Sequence, residues 1–375
     1  MSTTPLPAQH RALLLSTPES GFDAKTLPTP QPTPGSAIIR ITAAGVLPYH
    51  GDVYNGTRRS NTVPTPLVGG FGAIGHVAVV GPDAVALKPG QLVYVDCVVR
   101  ARDDPDSFFL SAIYSGSTEG SKKLMADGGW RDGTFAEFVR VPLENCIALD
   151  EGRLCQSLGY TVQDLVYMAY LLVPFGGIRD IGLQAGETII VCPATGFYGS
   201  LGVQVAVAMG ARVIAMGRSE EKLGRLVEDV KRRSLSRGVD IETVIITGDE
   251  DKDADALRAF GAADAVLDLT PAAAATSTHT KSAIKALRRG GRVSLMGSTT
   301  NFAVSQIMVN NITLKGKMMY ERETIVHFAK MLERGLLPLG KDLIETKIFS
   351  LEDWKVAFDT AAEHNGVGKC VVITP

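Results

Sequence analysis

Three features of the sequence predict an α/β fold in two parts. The first is the segment from Glu187 to Leu223, ETIIVCPATGFYGSLGVQVAVAMGARVIAMGRSEEKL. The second is the alternation of strand and helix patterns that runs on from it to Gly297, which implies a parallel sheet covered by helices on both faces. The third is a set of glycine-punctuated apolar segments between Val63 and Val95, which reads as a small, strongly curved sheet.

Within the first segment, Thr188 to Cys192 is a short apolar run of the kind a fully buried strand shows. Ala194-Thr195-Gly196-Phe197-Tyr198-Gly199 forms an AxGxxG turn, a helix continues through Gly210, and a second strand covers Arg212 to Met216. That order is the dinucleotide-binding βαβ unit of a doubly wound parallel (Rossmann) sheet. Gly196 lets the backbone approach a pyrophosphate, Gly199 lets the helix pack closely on its strand, and free N–H groups at the helix start hold the phosphates. Thr195, Gly196, Tyr198 and Gly199 are therefore cofactor-binding candidates.

The end of the second strand bears on which cofactor is bound. An NAD site places Asp or Glu there to accept from the ribose hydroxyls. This chain reads Gly217-Arg218-Ser219, with Lys222 one turn further on. No carboxylate remains to repel a 2′-phosphate, and Arg218 offers a planar donor fork for it. Arg218, Ser219 and Lys222 thus favour NADPH/NADP over NAD, although the two basic residues also suit a solvated helix start.

The remaining elements follow in order. Residues 11–41 read as short strands broken by Leu27-Pro-Thr-Pro-Gln-Pro-Thr-Pro-Gly35, which sustains neither helix nor central strand. Residues 100–130 are polar and rich in Gly, Ser and Asp, and read as a long surface loop. Strand returns at Phe135 to Val141, and a helical pattern starts near Thr161, an N-cap candidate. Helix 219–235, strand 243–247, helix 253–260, strand 265–269, helix 281–289 and strand 292–296 continue the alternation. The run 271–282 reads as a loop. The tail from Ile312 adds helices 323–334 and 351–363 and a closing strand from Lys369 to Thr374. Gly297, at the end of its strand, lets the chain pass close to a cofactor, with Leu295 on the same approach.

Composition excludes several functions. A length of 375 residues suggests two domains. The net charge is −2, and the densest basic cluster, Lys231 to Arg233, lies beside Glu228 and Asp229. Neither nucleic acid nor an anionic membrane surface is expected as a partner. Five scattered cysteines without a CxxC pair argue against a disulfide framework and fit a reducing cytoplasm. The start, MSTTPLPAQHRALLL, holds too short an apolar run for a signal peptide, and no window of about 20 apolar residues suggests a membrane span.

Nearly the whole chain resembles the medium-chain dehydrogenase/reductases. The matching pieces are Ala44-Gly45-Val46, Pro66 to Gly81, Phe135-Ala136-Glu137, Met168-Ala169-Tyr170, Gly186-Glu187-Thr188, the cofactor turn, Leu287 to Gly297 and Gly368-Lys369. The resemblance implies a GroES-like, partly open β-barrel catalytic domain from 1–163 and 309–375, around a Rossmann NADP(H) domain at 164–308. It also implies a homo-oligomer, dimer or tetramer. Zinc-dependent members carry Cys after Gly-Val, where this chain has Leu47, and His-Glu where it has Phe71-Gly72. Leu and Phe have no lone pair for a metal. Asp164 falls near the third ligand position, and the four-cysteine structural lobe is absent. The chain thus resembles the zinc-free branch of quinone oxidoreductases and enoyl reductases, and no metal is expected.

Without a metal, the acceptor matters. Hydride addition to a carbonyl puts full charge on an alkoxide, which a Lewis acid or positioned acid must meet. Addition to an enone or quinone delocalises that charge. The expected activity is NADPH-dependent reduction of an activated C=C, with carbonyl or imine reduction, or NADPH binding with little turnover, as alternatives. Where zinc enzymes carry a Ser/Thr relay this chain has Tyr49 followed by His50; a phenol backed by an imidazole can donate a proton, or Tyr49 can line the pocket. Asp164 is a candidate acid or orienting partner, against the plainer reading of a helix-start carboxylate. Tyr54, Trp130, Tyr167 and Tyr320 are candidate pocket walls, or core. His76 reads as a strand residue, and His279, His327 and His364 share no ligand spacing.

Overall fold

The structure is a computed structural model of the chain and describes residues 5–127, 129–234, 238–337 and 343–375. The end of the expected helix 219–235 therefore lies outside the described residues, as does residue 128 of the expected loop 100–130. The chain packs as two compact units. One is Met1–Ala169 with Leu339–Asn365 and Lys369–Pro375; the other is Tyr170–Pro338 with Gly366–Gly368. The sequence placed the junctions at 163/164 and 308/309. Residues 309–337 pack with the second unit because Thr313–Gly316 joins its sheet and Phe328 packs on Phe175, with ring centroids 5.1 Å apart.

The first unit is organised by strand Ser36–Gly45, which pairs with Ala73–Val80 along one edge. Its other edge is shared, with Phe138–Pro142 on the N-terminal half and Lys369–Ile373 on the C-terminal half. Leu92–Val95 and Cys146–Ala148 extend the sheet past Ala73–Val80, and Glu345–Phe349 lies parallel to the last strand. A separate antiparallel sheet joins Phe22–Pro28, Gln9–Leu15 and Leu67–Val68. Segments from both chain ends thus build one sheet, which accounts for the discontinuous unit.

Residues 100–130 are more ordered than a surface loop. Phe108–Leu110 pairs with Val98–Arg100, and Glu119–Asp127 is helical. Phe109 and Met125 are fully buried and anchor the two elements. The polar composition serves local bonding: Thr118 accepts from the Ser121 N–H at 3.0 Å, and Ser121 accepts from the Phe108 N–H at 3.0 Å.

The second unit is a six-stranded, wholly parallel sheet. Its order is Ile241–Ile245, Arg212–Gly217, Thr188–Cys192, Ala263–Asp268, Leu287–Leu295, Thr313–Gly316. This is the doubly wound arrangement expected, with the direction of winding reversing between Thr188–Cys192 and Ala263–Asp268. One helix ends early: His279–Lys285 stops before Leu287, and Leu287 to Arg289 begin the next strand. Leu287 is buried there and aligns with Ala263, so the sheet claims residues that a helical pattern had taken. Helix Glu250–Arg258 starts earlier than expected because Asp249 accepts from the N–H groups of Asp251 and Lys252. Among the described residues no helix is long and apolar enough to cross a membrane.

An aromatic cluster fills the core of the first unit. Phe22 makes edge contacts with Tyr54, Phe135, Trp354 and Phe358 at centroid distances of 4.8 to 6.5 Å. Tyr54, expected at a pocket wall, lies inside this cluster; its hydroxyl accepts from the Gly70 N–H at 2.8 Å, and burial pushes its pKa up. His50 lies there too, fully buried among Tyr54, Phe71, Phe135 and Phe358. Its Nδ1 accepts from the Leu47 N–H at 3.2 Å, so the ring hydrogen is on Nε2, which has no partner. Burial lowers its pKa to about 3. A ring so caged stays neutral and is placed to hold the Leu47–His50 turn.

That depressed pKa fixes a pH dependence. The unfolded ring takes a proton near pH 6.5 and the folded one does not, so this contribution is complete above pH 6.5 and is lost as pH falls toward about 3. Each pH unit in that window removes about 1.4 kcal/mol. His50→Gln keeps an acceptor but does not titrate. Urea unfolding, followed by the two tryptophans, which both lie in this unit, is expected to show the wild-type advantage over the variant shrinking by roughly 2–3 kcal/mol between about pH 7 and pH 4.5. A constant difference would mean that His50 charges within the fold.

Candidate functional site

Parallel register lines up the strand ends of the second unit. Val191 lies opposite Ala215, Gly217 opposite Ile245, Cys192 opposite Asp268, and Asp268 opposite Leu295. In open α/β sheets the ligand crevice lies beyond these carboxyl ends, where the winding reverses.

Helix Phe197–Ala208 begins at that point. Gly196 is its N-cap, in extended conformation and without a side-chain acceptor for the first-turn N–H groups. A Cβ at Gly196 would meet nothing within 4 Å, so the helix start is open to an incoming anion. Gly199 has the opposite environment: a Cβ there would collide with the Pro193 carbonyl oxygen, so its absence sets how closely helix and turn pack. Thr195 packs beside Gly217, while Tyr198 is half-buried and tilted on Phe197, with centroids 4.8 Å apart.

The next helix, Glu220–Arg233, is capped by Ser219, whose hydroxyl accepts from the Lys222 N–H at 3.3 Å. Arg218 and Lys222 are both exposed, and among the described residues neither is in an ion pair. Two cations without carboxylate partners flank the end of the second strand. Leu295 is half-buried at the end of its strand. Gly297 lies where a Cβ would strike the Thr270 backbone and approach Asp268 Oδ2 to 2.7 Å.

Beneath Gly297 is a polar network that sequence reasoning missed. Asp268 is fully buried, and its Oδ1 accepts from the hydroxyls of Thr270 at 2.5 Å and Thr280 at 2.8 Å. Having given its hydrogen to Asp268, Thr270 must accept from His279 Nε2 at 2.8 Å, and His279 Nδ1 then accepts from Ser277 at 2.8 Å. Asp268 Oδ2 has no partner. Burial raises the Asp268 pKa; burial, with a further push from Arg218, lowers that of His279. Both shifts favour neutral forms. The available signal was the pair Asp268 and Thr270 just where the strand ends; spacing to His279 carries none, because a loop brings that ring back.

The first unit presents its candidates separately. Tyr49 is half-buried, and the Arg58 guanidinium lies over its ring at 4.3 Å from the centroid. His50 is the caged core residue described above and does not back the phenol as a proton partner. Asp164 is the third residue of a capping box: Oδ2 accepts from the Thr161 N–H at 3.1 Å, and Oδ1 from the Thr346 hydroxyl at 2.7 Å. The plainer reading of that carboxylate thus describes its surroundings. Trp130 is half-buried, with Arg140 at 5.7 Å from its ring. Tyr167 is fully buried, as is Tyr320 in the second unit.

The positions expected for metal ligands carry apolar side chains. Leu47 and Phe71 are buried and apolar, and Phe71 packs edge-on against His50. Among the described residues, no group of three or more His, Cys, Asp or Glu side chains is placed to hold a metal ion.

Comparison with known proteins assigns both units. A family model described as the alcohol dehydrogenase GroES-like domain matches residues 33–151, and one described as zinc-binding dehydrogenase matches 199–334. An L-threonine 3-dehydrogenase of Chelativorans sp. is 24% identical over 370 residues, covering 96% of this chain and 98% of the relative. The fold is shared with a cobalt- and zinc-bound alcohol dehydrogenase of Pyrobaculum aerophilum (TM-score 0.70, 22% identity, 98% of this chain and 100% of that one). It is also shared with an Escherichia coli alcohol dehydrogenase solved with NADH (TM-score 0.75, 18% identity, 98% and 100%). With a GroES-like match followed by a dehydrogenase match along a single chain, the protein belongs to the medium-chain dehydrogenase/reductase superfamily of oxidoreductases.

Proposed function

We propose that the chain is a zinc-independent, NADPH-dependent reductase whose acceptor is a C=C conjugated to a carbonyl, or a quinone. The observation that carries this reading is the apolar pair Leu47 and Phe71, packed around His50 where zinc-dependent relatives place metal ligands. A site lacking a Lewis acid favours acceptors whose negative charge delocalises. NADPH, when bound, supplies the hydride. The chain's own residues do the rest: the first turn from Gly196 holds the pyrophosphate, Arg218 and Lys222 meet the 2′-phosphate, and Tyr49 orients the substrate or gives it a proton. Arg58 over the Tyr49 ring restrains that phenol.

A second reading is supported by relatives named for threonine and alcohol dehydrogenation. In it the chain is a carbonyl or imine reductase without zinc, and Tyr49 is the acid that protonates the alkoxide or amide anion. NADPH binding with little turnover is the reading from outside enzymology.

NADPH deuterated at its transferable C4 position, offered with an α,β-unsaturated ketone, separates these readings. Deuterium at the β-carbon of the saturated product is expected. Deuterium on a carbinol carbon would overturn the proposal in favour of the second reading, and Tyr49→Phe would then be expected to slow reduction about 100-fold or more, within the range for a general acid. No label in any product, despite confirmed NADPH binding, would exclude this acceptor class.

Cofactor preference tests the exposed cations independently of the acceptor. Replacing Arg218 by Gln together with Lys222 by Ala is expected to weaken NADPH binding roughly ten- to a hundred-fold, the worth of one or two charge-assisted hydrogen bonds, and to leave NADH nearly unchanged. Titration of both nucleotides against both proteins measures this. Equal losses for the two nucleotides would place the 2′-phosphate elsewhere.

A further inference from the structure

Strand alternation gives the small sheet of the first unit a second face. Leu13, Leu15, Phe135 and Val139 face the main core of that unit. The intervening residues Ala12 and Ala136 pack with Val68 in a separate small cluster, joined by Leu14 and Leu27. His10 and Phe138 continue this second face, their rings meeting edge-on at 6.3 Å. Beside it lies a cavity of about 360 Å³, lined by His10, Leu27, Val68, Ala136, Phe138 and Arg140 among others. That volume suits a small ligand.

Two polar atoms here have no partner among the described residues. His10 is 6% exposed, and its Nδ1 is buried without a hydrogen bond; the buried Nε of Arg140 also lacks one. Arg140 Nη2 donates to the Gly129 carbonyl at 3.0 Å, and the guanidinium stands 5.7 Å from the Trp130 ring. Among the described residues Arg140 has no carboxylate partner. Asp132 also lines the cavity; its Oδ1 accepts from the Val68 N–H at 3.0 Å and lies 3.4 Å from Arg131 Nε. Glu137 is likewise committed, accepting from the Arg11 N–H at 2.8 Å. Burial lowers the His10 pKa, against smaller opposing pulls from Glu137 and Asp132, so the ring is neutral near pH 7 and still carries one N–H.

An uncompensated guanidinium with an orphan N–H, a buried imidazole and apolar walls together define a ligand. We propose that this cavity binds a small carboxylate with an apolar body, such as an aromatic acid. The acid's head lies toward Arg140 and His10, and its ring rests on Leu27, Val68, Ala136 and Phe138. Arg140 supplies a donor and the charge, and a neutral isostere satisfies only the donor. The site belongs wholly to the GroES-like unit and involves none of the proposed cofactor or proton-donor residues.

Benzoate titrated into the full-length protein, with and without saturating NADPH, tests the assignment. Tryptophan emission is the readout, because Trp130 is in contact with Arg140 and only one other tryptophan is present. A saturable change is expected, unaltered by NADPH, with benzyl alcohol at least about ten-fold weaker. Arg140→Met and His10→Phe are each expected to weaken benzoate roughly ten-fold or more and to leave the NADPH dissociation constant unchanged. Arg140→Lys, the milder substitution, is expected to fall between wild type and Arg140→Met. Benzoate affinity indifferent to these substitutions, competition with NADPH, or absence of saturation would each overturn the proposal.

Discussion

The parallel pairing of Thr188–Cys192 with a strand on each side is the constraint on which the cofactor unit depends. A strand buried on both faces and paired on both edges cannot slip without misplacing every neighbour. Its register with Arg212–Gly217 and Ala263–Asp268 sets the positions of Gly196, Arg218, Asp268 and Gly297 at one edge of the sheet. Helix Phe197–Ala208 then approaches as closely as the missing Gly199 side chain permits. The open N–H groups at this helix start are thus products of sheet geometry as much as of the turn that carries them.

The first unit obeys a different constraint. Strand Ser36–Gly45 divides one edge between Phe138–Pro142 and Lys369–Ile373, so the sheet is complete only when the chain's end returns. Under that sheet the positions where zinc-dependent relatives carry ligands are taken up by packing: Leu47 and Phe71 are buried, and His50 is wrapped in aromatic rings. A polar residue placed at either position would face this apolar environment and the desolvation cost that comes with it. Leu47, Phe71 and the aromatic cage of His50 are thus parts of one local packing arrangement.

Legibility followed how local each feature is. The βαβ unit was readable because an apolar run, a glycine turn and a helix are contiguous, and each is dictated by neighbours in sequence. The register of Leu287 with Ala263 was not, since a two-arginine, two-glycine stretch suits a helix end as well as a strand start until the neighbouring strand is present. Tyr54, Tyr167 and Tyr320 look alike in sequence to a pocket tyrosine, and only packing shows them buried. His50 beside Tyr49 suggested a proton pair, yet one helical step turns the two rings to different surroundings: His50 into the core, Tyr49 under Arg58. Asp268 and His279 stayed hidden because their connection runs through Thr270 and a folded-back loop.

That hidden network has an electrostatic consequence. Asp268 is shifted up and His279 down, so both buried groups move toward neutrality, and the buried Cys192 thiol is pushed up by burial and by Asp268 as well. Burial thus works against fixed charge just beneath the carboxyl edge, while the Thr270 and Thr280 hydroxyls offset part of that cost at Asp268. Arg218 and Lys222, by contrast, stand exposed on a loop and a first helical turn. Exposed cations keep their hydration until a ligand replaces it, and they exchange at small cost in packing. On the proposed reading, preference among dinucleotides then rests on two surface positions, while Gly196 and Gly199 serve what is common to all of them.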